Sequence, residues 1–352
     1  MIKQCPICTT EIHKKSKQWV NQTYCSTKCR KIANLKKKSK IARIEKKRAN
    51  LVQNDEILYL VKQCRRAGTV QILTGHDFQS FLETMSLVRN RPKGDVKLCH
   101  IAPVKGKNST GLFHCQNLFY GGTHQNRRFG KKYLSGGLSI NHNKLKKKWI
   151  VVDSMSNNDV LKKIEIFLGD VIQKYLEVSP VRKSKRVQLV QKIIEVEKSK
   201  SFEKMMELSH KQLADKWREL SNTITFQIDF SKESKYLAYM DSLTRFISYG
   251  GERASLLKKL RKVMVIGYMA LERVKRSNTH NEYFYVYYEP LINIKYGQAM
   301  MKTSDDWSTF KDFIYDTAFK VLQGGNIDIK AFRRKLMSYL KFPEKASVDD
   351  RV

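Results

Sequence analysis

The chain has 352 residues, 68 of them Lys or Arg and 33 Asp or Glu, for a formal net charge of +35. With 41% hydrophobic residues, it can bury cores in two or three domains, which excludes a disordered polybasic tail. The charge exceeds what solubility requires and is spread over the whole chain, which favours a polyanion partner, nucleic acid first, over a membrane surface.

Met1-Ile2-Lys3-Gln4 leads into a cysteine pair with no apolar leader, and the most apolar interior run, Val263 to Leu271, is too short to cross a bilayer. Cys5-Pro6-Ile7-Cys8 and Cys25-Ser26-Thr27-Lys28-Cys29 form two short-spaced pairs. Each tight turn brings two thiolates to one side, and four thiolates satisfy tetrahedral zinc. Four of the seven cysteines in ligand spacing therefore imply a structural zinc ion and a reducing compartment, the bacterial or host-cell cytosol. The run Tyr24-Cys25-Ser26 with Cys29-Arg30 resembles the second half of treble-clef zinc fingers, whose last ligands lie on the first turn of a helix.

From Lys28 to Arg48 basic residues alternate with Ala, Ile and Leu, without Gly or Pro. This spacing predicts a solvated basic helix without a broad apolar face. Lys36, Lys37 and Lys38 are its candidate phosphate contacts, since like charges this dense repel one another unless a polyanion relieves them. Residues 51–90 read as helical, with Leu58, Leu60, Val61, Phe78, Phe81, Leu82, Met85 and Leu87 as buried positions. Gly75-His76-Asp77 reads as a break and cap, with His76 a turn or surface residue, and Cys64 as a small buried apolar residue.

The turn at Arg91-Pro92 delivers a strand ending in Cys99-His100-Ile101-Ala102-Pro103, followed by Gly111, Asn117-Leu118 and Asn126. These residues resemble the HNH (ββα-metal) nucleases over roughly residues 92–132. In that family a strand ends in His-Ile/Val-x-Pro, an Asn-Leu step opens the second strand, and an Asn or His sits on the helix that follows. The resemblance implies a metal-dependent endonuclease. His100 would be the general base, and Asn117 would hold the loop and orient the histidine through its backbone carbonyl. Asn126 would offer an amide oxygen to catalytic Mg or Mn. Many members have an aspartate before the histidine, where this chain has Cys99. His124 is an alternative ligand, and His114 and Cys115 read as strand residues.

Downstream, Arg127, Arg128, Lys131 and Lys132 add charge beside this stretch. Ser139 to Val152 reads as a β-hairpin with a polar turn at His142 and a basic flank that includes Lys146 and Lys147, suited to phosphate contacts. Val160 to Tyr175 has helical apolar spacing, Ser179-Pro180 breaks it, and one or two long helices follow from Val187 to Trp217. Thr223 to Phe230 alternates as a strand. A helical block from Tyr236 to Val274 is interrupted at Gly250-Gly251, Tyr283 to Tyr288 is an aromatic strand, and the remainder is mostly helical.

The expected architecture is α+β: a four-cysteine zinc finger and basic helix (1–50), an HNH-like nuclease domain (51–155), and a mainly helical α+β region with a few strands (156–352). The expected partner is DNA, double-stranded or branched, with no membrane contact. A homodimer would supply the second cut of a double-strand break. The composition is that of a phage or mobile-element protein. The competing reading is a DNA-binding or recombination protein with a degenerate, catalytically silent HNH fold.

Overall fold

The computed structural model describes residues 3–13, 21–92, 94–130, 132–134, 136–221, 235–271, 300–301 and 307–341. In chain order the elements begin with β1 (Lys3–Gln4), β2 (Glu11–Ile12), α1 (Thr27–Ala49), α2 (Asp55–Ala67) and α3 (Phe78–Arg89). Then come β3 (Val96–His100), β4 (Ser109–Gly111), β5 (Leu118–Gly122), α4 (Thr123–Phe129) and β6 (Ser139–Asn141). Helices α5 (Asn157–Leu168), α6 (Asp170–Val178), α7 (Lys185–Val196), α8 (Phe202–Glu207) and α9 (His210–Ser221) follow. The chain closes with α10 (Lys235–Ser248), α11 (Ala254–Leu271), β7 (Met300–Met301), α12 (Trp307–Leu322), α13 (Ile329–Ser338) and β8 (Leu340–Lys341). The architecture is thus an N-terminal cysteine cluster, small antiparallel sheets and a mostly helical C-terminal part. Among the described residues no helix is long and apolar enough to cross a membrane.

The contacts group into two units, each built from two stretches of chain: residues 1–61 with 156–226, and residues 62–155 with 227–352. In the first unit, α1 starts at Ser26, whose hydroxyl accepts from the Cys29 N–H at 3.2 Å. Its three last-turn cations oppose the negative end of the helix dipole. Only Cys29 is buried along α1, as a helix with no apolar stripe requires. Its far end is tied down: Lys47 donates to the Leu176 carbonyl at 2.7 Å, and Arg48 pairs with Glu165 at 2.9 Å. A small core joins α7, α8 and α9 through Val190, Ile193, Met205 and Leu213.

The second unit is built around the antiparallel pair β3 and β5, in register from Val96 opposite Gly122 to His100 opposite Leu118. α4 leaves β5 directly, with Gly122 as its N-cap. Phe119 and Cys99 bury against Tyr236, Tyr239, Phe310, Ile314 and Phe319 of α10 and α12. The outer edge of β5 is closed by α10 in a regular way. Tyr239 accepts from the Gly122 N–H, Ser242 accepts from the Tyr120 N–H, and Arg245 donates to the Leu118 carbonyl. Steps of three along the helix match steps of two along the strand, so a two-stranded sheet keeps no bare edge there.

Several expectations need correction. Gly169, at φ +59°, splits the single helix expected over Val160 to Tyr175 into α5 and α6. Ile166, one of the apolar residues of that periodic run, is 72% exposed. Three helices, α7 to α9, occupy the stretch expected to hold one or two, because Glu197 and Leu208 end α7 and α8. His114 and Cys115 are not strand residues: His114 caps a short helical turn at Cys115–Asn117. The hairpin expected over Ser139 to Val152 does not form. β6 pairs with β4, and Ile150 bridges Thr69. The strands expected at Thr223 to Phe230 and Tyr283 to Tyr288 lie outside the described residues. The Asp77 cap, the buried Cys64 and the interruption at Gly250-Gly251 are present as expected.

Candidate active site and metal centre

Cys5 and Cys8 lie in the turn between β1 and β2, which Thr9 tightens at φ +58°. Cys25 precedes the N-cap of α1, and Cys29 lies in its first turn. All four sulfurs lie within 4.8 Å of one another. The separations from Cys8 to Cys25, Cys25 to Cys29 and Cys29 to Cys8 are 3.3, 3.5 and 3.7 Å. Metal–sulfur bonds of about 2.3 Å in a tetrahedron set edges of about 3.8 Å, so the four thiols form a site able to chelate a metal ion. Without an ion the sulfurs compete for protons. Cys5 is drawn down to about 6, first by the Cys25 backbone N–H, and Cys25 is pushed up to about 12, first by the Cys8 sulfur.

In the second unit a cavity of about 110 Å³ is lined by His100, Asn126, Arg66, Lys105, Lys132 and Gln323, among others. His100 ends β3, and its Nε2 is covered without a hydrogen-bond partner. Burial first, then the Arg66 charge, holds its imidazole down at about 3, so it is neutral at physiological pH. Asn126 stands on α4 and reaches the same cavity because β5 runs straight into that helix. Cys99 also touches the cavity wall, but burial pushes its thiol up to about 12, so it is not an anionic ligand.

Asn117 lies behind the cavity, fully buried. Its Oδ1 accepts from the Ala102 N–H at 2.9 Å and the Leu138 N–H at 3.1 Å, and its Nδ2 donates to the Leu112 carbonyl at 2.7 Å. Its backbone carbonyl accepts from the Ile101 N–H at 2.9 Å, so the clamp acts on the loop after His100 and not on the imidazole. Gly137, at φ +73°, makes this possible, since a Cβ there would stand 2.4 Å from Asn117 Oδ1. Asn117→Ala would orphan buried donors and acceptors and is expected to cost roughly 3 to 4 kcal/mol, measured by urea unfolding.

No family model, curated protein or solved structure matches the chain. Of the residues singled out in the sequence, His100, Asn126 and Lys132 meet at the cavity, and Asn117 supports its loop. Arg127 and Arg128 are exposed on α4, with Arg128 paired to Asp316. His124 is exposed on the first turn of α4, and Lys146 and Lys147 are exposed at the short helical turn after β6. Lys36, Lys37 and Lys38 are exposed on α1 in the other unit, and Lys131 lies outside the described residues. Three lining residues escaped sequence reasoning. Lys105 follows the His-x-x-Pro step by two positions and could have been found, Arg66 closes α2 as an ordinary last-turn cation, and Gln323 carries no local signal.

His76, expected as a turn or surface residue, is largely covered. Its Nε2 donates to the Phe113 carbonyl at 2.9 Å, its ring stacks on His114 at 4.6 Å, and burial holds it down at about 4. Folded values below the ordinary histidine range mean that the unfolded chain takes protons first. The stability that His76 and His100 contribute is thus complete above about pH 6.5 and lost as the pH falls toward 4. Urea midpoints are expected to drop between pH 7 and pH 5, and His76→Gln should flatten that drop.

Proposed function

We propose that the cavity is the centre of an HNH-type phosphodiester hydrolase acting on double-stranded or branched DNA. The observation that carries this reading is that a neutral, unpartnered imidazole faces the same cavity as the amide of the helix following β5, with Arg66, Lys105 and Lys132 around them. The three cations suit a phosphate diester, and burial together with the Arg66 charge keeps His100 unprotonated until the anion arrives. The added negative charge then raises the imidazole's basicity toward the range in which a general base works best.

Among the described residues none that lines the cavity is a carboxylate. A resident divalent cation does not fit one neutral amide beside three positive groups, whereas a cation brought in with the phosphates and held by Asn126 does. Magnesium or manganese so bound would stabilise charge on the phosphorane and the leaving oxygen. The four-cysteine site would hold structural zinc, and Lys36, Lys37 and Lys38 on α1 would add phosphate contacts. Thiols kept as ligands fit a reducing, cytosolic setting. One centre cuts one strand, so a homodimer would complete a double-strand break.

The second reading, a silent DNA-binding protein, is favoured by Cys99, whose protonated thiol stands where many HNH sites carry an acid. Incubation with supercoiled, linear and branched DNA in Mg²⁺ or Mn²⁺ decides between them. Nicking that EDTA abolishes supports the hydrolase; tight binding without cleavage supports the silent protein. In either case affinity should fall steeply with salt, and a flat response in a filter-binding titration would mean that the charge serves another purpose.

A further inference from the structure

Gln323 follows the last turn of α12 and is 5% exposed. Its Nε2 donates to the His100 carbonyl at 2.8 Å across a sequence separation of 223 residues. A carbonyl only accepts, so this bond fixes the amide orientation and leaves Oε1 as the opposite end. That Oε1 is buried with no hydrogen-bond partner, as is His100 Nε2, and both residues line the same cavity. Arg66, Lys105 and Lys132 also line it, and none of them donates to Oε1. An orphaned buried acceptor is destabilising unless a ligand satisfies it.

The turn carrying Gln323 is itself held. Arg253, immediately before α11, donates to the Val321 carbonyl at 2.9 Å and the Gly325 carbonyl at 2.8 Å. Gly324, at φ +100°, permits the reversal. The position is therefore built, with its donor spent on the main chain of the proposed base and its acceptor left for something that carries hydrogens. A phosphate oxygen would be repelled there, whereas water would be held.

We propose that Gln323 is a positioning residue of the hydrolytic centre: Nε2 fixes the main chain of His100, and Oε1 accepts from the water that His100 deprotonates. This rests on the hydrolase reading above. The water then has one hydrogen on each acceptor and its lone pair free for phosphorus. In the step, one O–H bond breaks and its proton passes to His100 Nε2. The oxygen forms the new P–O bond, and the bridging P–O bond breaks with its electron pair on the departing sugar oxygen, which takes a proton from solvent.

The test is Gln323→Met, close in volume but lacking both functions, made in the full chain alone and together with His100→Ala. Single-turnover cleavage of a nicked-plasmid substrate in Mg²⁺ should fall roughly 10- to 100-fold for Gln323→Met, with DNA affinity within about twofold of wild type. Added to His100→Ala, it should cost nothing more, since both act on one water. A wild-type rate in Gln323→Met, or additive losses in the double variant, overturns the proposal while leaving the hydrolase reading standing. Absence of cleavage by the wild type overturns the hydrolase reading and the proposal with it. Gln323→Glu, which keeps an acceptor but cannot donate to the carbonyl, serves if the Met variant does not fold; its rate should also fall. Unfolding of both variants overturns the proposal by making Gln323 a fold-holding residue.

Discussion

His100→Ala is expected to lower single-turnover DNA cleavage by about 10²- to 10⁴-fold, the usual contribution of a positioned general base. That loss corresponds to about 3 to 5 kcal/mol of transition-state stabilisation. DNA affinity should stay within about threefold of wild type, because phosphate contacts and not the imidazole carry it. The separation of the two effects follows from the site itself. His100 is uncharged before substrate arrives, so its removal takes no positive charge from the cavity, while Arg66, Lys105 and Lys132 remain. Its main-chain bonds to the neighbouring strand and to Gln323 also survive the truncation. Cleavage at the wild-type rate would sink the assignment of the base, and a parallel loss of binding would turn the residue into a structural one.

The charge arrangement explains why the missing acid need not silence the site. An aspartate at position 99 would be buried on β3 beside Ile101 and Phe119, among the apolar side chains of α10 and α12. Cys99 instead contributes apolar bulk there and leaves the cavity without a carboxylate. On the proposed hydrolase reading, such a centre would depend on its substrate for the negative charge that a divalent ion needs. Metal affinity and DNA affinity should therefore be coupled.

The parts of this arrangement that lie close together in sequence were legible there. The strand ending at His100, the Asn-Leu step at Asn117 and Leu118, and Asn126 on a helix all fall on the elements that the family resemblance implied. The same holds for the cysteine pairs, whose tight turns need no distant partner. What the sequence concealed depends on long-range return of the chain. Residues 235–271 and 307–341 come back to the second unit, where α10 seals β5 through Tyr239, Ser242 and Arg245. Each of these is an ordinary helical residue, and only pairing with alternate strand positions gives the three a common role. Gln323 was hidden for the same reason, since nothing local distinguishes a polar residue after a helix end from one that bonds His100. Gly169 was hidden differently: one glycine within an apolar periodic run reads as a tolerated interruption, yet its positive φ ends α5 and starts a new direction.

Cys29→Ser is expected to release the metal and melt the N-terminal segment. Cys29 is at once a sulfur of the cluster, the one buried residue of α1, and the backbone N–H that Ser26 caps. A structural zinc ion contributes on the order of 10 to 16 kcal/mol of apparent binding free energy at pH 7. Among the described residues the apolar cluster of this segment is Cys5, Ile12 and Cys29 with Ile7, Tyr24 and Cys25 around them. The 23-residue α1 has no acidic residue in its first turn and carries dense positive charge, so its N-terminal half relies on the finger for anchoring. Metal content should fall from about one ion per chain to near zero, with a loss of helical circular dichroism that added zinc does not restore. Wild-type protein stripped by a chelator should lose the same signal and regain it with zinc, because four thiolates re-form the site. Cys64→Ser, which removes an equally buried thiol outside the cluster, should leave metal content unchanged. A Cys29→Ser chain that is metal-free yet keeps its full helical signal would show that α1 stands without the cluster, and the cysteines would then need another explanation than a folding metal.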